Sequence, residues 1–288
     1  MSRLTERFHL YLRLIRFDRP IGTLLLLWPT WWGLWLAASG HPSIANLLIF
    51  TSGVLLMRSA GCAMNDYADR HIDAHVERTR ERPLASGLLS EGEALLVAAG
   101  LALCALVLVL QTNELTVWLS LAGVAIGATY PFLKRHTHLP QIGLGIAFSW
   151  GIPMAFAAEQ NTVPASAWLV FCAALTWSVV YDTFYAMVDR ADDLKIGVKS
   201  TAILFGEADR FITAALQVLV LVLLALVGRE FALGAVYFAS LFVGGLLCVY
   251  QQWLISERKR EGSFAAFLNN NLFGFVIFAG IAGDLLLR

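Results

Sequence analysis

Two short segments hold most of the residues able to do chemistry. The first is Asn65-Asp66-Tyr67-Ala68-Asp69-Arg70-His71-Ile72-Asp73. The second is Asp182-Thr183-Phe184-Tyr185-Ala186-Met187-Val188-Asp189-Arg190-Ala191-Asp192-Asp193. On a helix advancing about 100° per residue, Asn65, Asp69 and Asp73 share one face. Asp182, Asp189 and Asp193 share another, with Asp182 two turns deeper. Asp66 and Asp192 fall off these faces. Stacked carboxylates repel one another, and Mg²⁺ offsets that repulsion well: it takes hard oxygen ligands and joins a few carboxylates to phosphate oxygens. Asn65, Asp69, Asp73, Asp189 and Asp193 are therefore the expected metal ligands of a metal–diphosphate site. Asp69, Asp73, Asp182, Asp189 and Asp193 are the expected catalytic residues. A solvated loop surface explains Glu77, Glu81, Glu91 and Glu93, but not a helical spacing that recurs in both sets.

Cations near these segments could hold the remaining phosphate oxygens. Lys134, Arg135 and Lys195 are the principal candidates, followed by Arg70 and Lys199. Arg58 is an odd residue, because cations inside an apolar helix are rare and usually functional. It lies seven residues before Asn65 and so shares that face. Its expected partner is a substrate carboxylate or Asp182, the alternative being an arginine that snorkels to the headgroups. Tyr130 and Tyr185 lie near the motifs as candidate substrate contacts. Trp28, Trp31, Trp32 and Trp35 read as packing or interfacial residues. His71 and His75, despite i, i+4 spacing, read as surface, and the four cysteines as buried apolar side chains without a disulfide framework. No nucleotide-binding motif or Ser/His/Asp set stands out, and the basic residues leave no nucleic-acid footprint.

The elements that must position these residues are membrane helices. The chain has 288 residues, 58% hydrophobic and only 15% charged, with zero formal net charge; a soluble domain carries about 25% charged residues. Apolar runs near the roughly 20 residues needed to cross a bilayer occur at 20–38, 44–63, 92–110, 114–132, 140–158, 165–187, 210–228, 233–254 and 264–287. In lipid such runs must be helices. The expected fold is thus all-α and integral to the membrane, with nine transmembrane helices around a central cavity, in one domain over 1–288. Residues 1–19 form an amphipathic segment at the membrane surface. Pro153 should kink the fifth span. Of the 21 Lys and Arg residues, all but Arg58, Arg229 and Arg288 fall on one side of a nine-span topology. That asymmetry places the N-terminus, and the acidic segments with it, in the cytoplasm. The two acidic pairs, Asp69/Asp73 and Asp189/Asp193, each follow an even-numbered span, a weak internal repeat.

The chain resembles the UbiA-type membrane prenyltransferases over nearly its whole length. Asn65, Asp66, Asp69 and Asp73 meet the family pattern NDxxDxxxD, and Asp189 to Asp193 meet its second DxxxD. Arg82-Pro83-Leu84-Ala85-Ser86-Gly87, Tyr130-Pro131-Phe132-Leu133-Lys134-Arg135 and Lys195-Ile196-Gly197-Val198-Lys199-Ser200-Thr201 match as well. Three further stretches are similar to the bacterial branch acting in ubiquinone biosynthesis: Asp18 to Pro29, Tyr181 to Asp189, and Asn269-Asn270-Asn271. The resemblance implies Mg²⁺ bound between the two motifs through a polyprenyl diphosphate. It also implies an aromatic acceptor, 4-hydroxybenzoate, alkylated ortho to its hydroxyl, at the cytoplasmic face of a bacterial inner membrane.

The residues suit that chemistry independently. Metal and basic groups take up charge on a departing diphosphate, while aromatic faces and excluded water protect an allylic cation. Family members with a naphthoate or homogentisate acceptor remain an alternative. A cation-coupled transporter would need acids near the bilayer midplane, whereas these sit at helix ends.

Overall fold

The computed structural model describes residues 3–288. Among the described residues it contains helices and no strand. Eight helical stretches are long and apolar enough to cross a membrane. They are α3 (Ile44–Asp73), α4 (Glu91–Val109), α5 (Glu114–Thr129) with the 3₁₀ turn Tyr130–Arg135, the pair α6 (Pro140–Ser149) and α7 (Gly151–Gln160), α8 (Ala165–Ile196), the pair α9 (Thr201–Phe205) and α10 (Asp209–Glu230), α11 (Ala235–Leu254) and α12 (Arg260–Leu286). The first expected span appears as α2 (Ile21–Ala37), apolar but only 17 residues long. Eight helices of spanning length plus this shorter one thus stand where nine were expected.

Local chemistry sets the ends. Ser43 and Asn113 accept the backbone N–H groups of Asn46 and Thr116, and Ser90 with Glu93 forms a capping box. Gly197 closes α8 at φ 73°, a left-handed conformation that costs glycine little. The expected kink at Pro153 is a break between α6 and α7: proline has no N–H to offer the Ser149 carbonyl.

Two helices overrun their apolar runs. α3 continues to Asp73 and α8 to Ile196, at 30 and 32 residues, so both acidic segments are helical and keep their shared faces. Buried α8 packs against α2, α6, α10 and α12. Trp177 stacks on Trp32 at 5.2 Å between centroids and donates to Asn270 Oδ1, while Trp28 donates to Asn271 Oδ1. The tryptophans and two of the three consecutive asparagines therefore pack helices together. Outward faces carry exposed Leu96, Leu103, Phe211, Phe242 and Val249, as lipid contact requires. The N-terminal segment is α1 (Arg3–Leu14). Part of its apolar face docks on protein: Leu14 is buried with Ala63, Leu84, Leu89 and Ala94, leaving Phe8 and Phe17 exposed.

Candidate active site

The motif ends of α3 and α8 open into one cavity of about 380 Å³. Asn65, Asp69 and Asp73 reach it from α3, and Asp182, Asp189 and Asp193 from α8. Arg58, Tyr130, Lys134, Tyr185 and Lys199 also line it. Mutual repulsion among the acids is offset by cations from elsewhere in the chain. Lys134 Nζ lies 2.5 Å from Asp69 Oδ2, and Arg82 Nη1 lies 2.6 Å from Asp73 Oδ2. Arg78 meets Asp189 with two nitrogens, at 2.5 and 3.0 Å, and covers the Tyr185 ring at 4.6 Å. Burial opposes the charged form of Arg78, but Tyr185 and Asp189 outweigh it and raise its pKa above the ordinary arginine value.

Among the described residues no three metal-donor side chains gather tightly enough to form a ready metal cage. The donors nevertheless suit Mg²⁺. They are hard oxygens on facing helices, Asp69 Oδ1 is buried without a hydrogen-bond partner, and the side chains of Asn65, Asp182 and Asp193 make no hydrogen bond among the described residues. Mg²⁺ characteristically binds through one or two carboxylates plus substrate phosphates, and two separated acidic faces are what that mode needs.

Three expected cations are not brought to the cavity. Arg135 is exposed, donating to the Ala68 carbonyl and lying over Phe132, because the 3₁₀ turn that aims Lys134 inward aims its neighbour out. Lys195 is three-quarters exposed and pairs with Asp192. Arg70 pairs with Glu91 and stacks on Tyr67. In their place the structure supplies Arg16, Arg78 and Arg82. In the sequence Arg78 counts only as membrane-side charge and Arg82 only as the start of a family-like segment, since nothing local marks which acid either one reaches.

Arg58 lines the cavity without an ion pair to Asp182 or any other described carboxylate; its guanidinium lies 5.8 Å from the Phe148 ring. Of its two expected partners, Asp182 is therefore absent. Gly22 makes room for it: a Cβ there would fall 2.3 Å from Arg58 Nη2. Gly22→Ala should leave the fold intact, because the obstructing atoms end a flexible chain, yet displace the guanidinium. An unchanged thermal midpoint for Gly22→Ala is the expected result.

A family model described as the UbiA prenyltransferase family matches residues 26–276. A 4-hydroxybenzoate octaprenyltransferase of Marinobacter nauticus is 58% identical over 276 residues, covering 96% of this chain and 94% of that protein. The enzyme of the same name from Hahella chejuensis is 57% identical, covering 98% and 94%. Among solved structures, an apo UbiA homolog from Aeropyrum pernix K1 superposes with a TM-score of 0.80 at 26% identity, covering 91% of this chain and 97% of that one. A UbiA homolog from Archaeoglobus fulgidus bound to GPP and Mg²⁺ shares the fold, with a TM-score of 0.70 at 20% identity over 95% and 99%. Matched along nearly its whole length by the family and by these relatives, the chain belongs to the UbiA prenyltransferase family.

Proposed function

We propose that this protein transfers a polyprenyl group from polyprenyl diphosphate to the ring carbon ortho to the hydroxyl of 4-hydroxybenzoate, in ubiquinone biosynthesis. The observation that carries the reading is the meeting of Asp69 and Asp189, from motifs 120 positions apart in sequence, on the wall of one cavity ringed by arginine and lysine. The acceptor is that of the 4-hydroxybenzoate octaprenyltransferases that match the chain along nearly its whole length.

Asn65, Asp69, Asp73, Asp189 and Asp193 would hold Mg²⁺ against the diphosphate. The metal, when bound, neutralises charge on the leaving group. Lys134, Arg78 and Arg82 contact the remaining phosphate oxygens. As the allylic C–O bond breaks, its electron pair leaves with the diphosphate. Tyr130 and Tyr185 present aromatic faces to the positive carbon and help exclude water. The ring carbon forms the new C–C bond, and the displaced ring proton passes to a base, for which Asp182 lies deepest among the acids. Arg58 holds the acceptor's carboxylate. The isoprenoid tail leaves through a groove lined by Pro20, Ile21, Leu24, Phe264 and Leu268, between α2 and α12, into lipid.

This reading sets α2 as a ninth span, with the N-terminus cytoplasmic and the cavity mouth facing the cytoplasm of a bacterial inner membrane. The supports are the charge asymmetry of the sequence and the position of both motifs at the same end of the bundle.

Purified protein given geranyl diphosphate, 4-hydroxybenzoate and Mg²⁺ should yield prenylated acid, release diphosphate, lose activity with EDTA and regain it with added Mg²⁺. Faster turnover of a dihydroxynaphthoate or homogentisate would remove the acceptor assignment. Arg58→Leu should raise the KM for 4-hydroxybenzoate by about 100-fold, the scale of a lost charge-assisted pair, with little change for the diphosphate. Equal effects on both substrates would place Arg58 elsewhere in the mechanism.

A further inference from the structure

Asp66 lies inside the first acidic motif, yet it does not line the cavity. Its side chain is fully buried, and its oxygens are taken by two arginines. Arg16 grips it with Nη2 at 2.6 Å from Oδ1 and Nη1 at 3.2 Å from Oδ2. Arg82 Nη1 lies 3.3 Å from Oδ1, and the same nitrogen lies 2.6 Å from Asp73 Oδ2. The result is a chain of alternating charge, Arg16–Asp66–Arg82–Asp73. Both arginines line the cavity.

The backbone adds an independent sign. Arg16 adopts φ 57°, just where α1 ends and the Phe17 N–H bonds back to the Leu12 carbonyl at 3.0 Å. Helices that end this way usually place glycine at the left-handed position, because a Cβ is penalised there. An arginine persists in such a conformation when its surroundings over-determine it. Here the determining contact is the two-point, charge-assisted grip on Asp66. Tyr11 donating to Glu93 at 2.7 Å and Arg13 donating to the Glu81 carbonyl at 2.8 Å hold the rest of α1 beside the mouth.

We infer that Asp66 is a positioning residue rather than a metal ligand: it holds Arg16 and Arg82 at the cavity mouth for the diphosphate and latches helix α1 into the active site. This rests on the reading of the cavity as a diphosphate site. Two arginines face two carboxylates, so the four charges cancel until Asp73 turns to a metal, when Arg16 and Arg82 together outweigh Asp66 by one positive charge at the cavity. When Asp73 is engaged by the incoming headgroup and its metal, Arg82 keeps its second anchor at Asp66 and stays in place. Arg16, just past the end of α1, brings to the same spot a cation of the N-terminal segment, beside Arg13 and Arg19 on the cavity wall.

The test uses the full-length protein in nanodiscs. Asp66→Asn should raise the KM for geranyl diphosphate about tenfold, the scale of one lost charge-assisted bond. The KM for 4-hydroxybenzoate and the Mg²⁺ concentration for half-maximal rate should stay within about twofold, since neither Asp66 nor Arg16 is among the residues proposed to hold either ligand. Arg16→Gly relieves the left-handed backbone and removes both the grip on Asp66 and the arginine's own charge at the mouth. It should show the same split, and in both variants amide exchange across residues 3–17 should quicken about tenfold as α1 comes loose. A raised Mg²⁺ requirement with an unchanged diphosphate KM would make Asp66 a metal ligand and overturn the inference. Unchanged diphosphate KM and exchange in Arg16→Gly would overturn it even if Asp66→Asn does not fold. Should the wild-type protein fail to prenylate 4-hydroxybenzoate, the proposed function fails. The latch is then judged by Mg²⁺-dependent binding of inorganic diphosphate: weaker binding to the variants sustains it, and equal binding ends it.

Discussion

Asp69→Asn should lower kcat about 10³-fold, the upper range for removing one preorganised charge from a site that stabilises a developing anion. Asp69 is 2% exposed, with one oxygen on Lys134 and the other buried without a partner. The substitution keeps the shape, removes the negative charge that a divalent cation would meet, and leaves Lys134 without its counter-ion. Asp189→Asn should act on a similar scale from the opposite helix. The informative variant is the pair. If both carboxylates grip one headgroup through its metal, the first loss already disables the unit, and the double variant should be little worse than the weaker single one. Steady-state rates with geranyl diphosphate, measured on protein whose thermal midpoint is unchanged, decide this. Losses that multiply would mean the two motifs act separately, and the shared diphosphate site would go with them.

The second large effect concerns stability. Asp209 is completely buried at the start of α10. It accepts hydrogen bonds from Arg190 at 3.1 Å, Arg258 at 2.9 Å and the Arg210 backbone N–H at 2.7 Å. One carboxylate thereby ties the residue next to Asp189 to α10 and to the turn before α12. Removing one partner of a buried ion pair costs about 3–5 kcal/mol, because the remaining charge is stranded. Arg190 and Arg258 are 27% and 41% exposed, so water recovers part of that cost, and about 2–3 kcal/mol is expected for Asp209→Ala. Denaturation in detergent micelles should show the loss, with Asp209→Asn falling between because it keeps an acceptor. An Asp209→Ala protein as stable as the parent would mean that this hub holds nothing together.

Much of the molecule was legible because its signals are local. Apolar runs of spanning length must be helices in lipid, so the helical fold and most of its boundaries could be read directly. The i, i+4 spacing of Asn65, Asp69 and Asp73 carries their shared face with it once α3 continues, and the lack of an N–H at Pro153 breaks the helix wherever that helix packs. The placement of Arg58 among apolar residues marked it as unusual before any neighbour was known.

The pairing of charges was not legible, because pairing depends on distance in space rather than along the chain. Arg78 reaches Asp189 across 111 positions, and Arg260 reaches Asp192 across 68. Lys134 and Arg135 are chemically alike and adjacent, yet one faces Asp69 and the other faces away; only the 3₁₀ turn and the helix against which it packs separate them. The same holds for Asp66, which helical spacing sets off the shared acidic face without saying what it meets, and whose neighbours are arginines. Periodicity along one helix follows from its own hydrogen bonds and is written in a few consecutive residues. Which side chain meets which across the cavity follows from how long helices pack, and that is decided only when the whole bundle has formed.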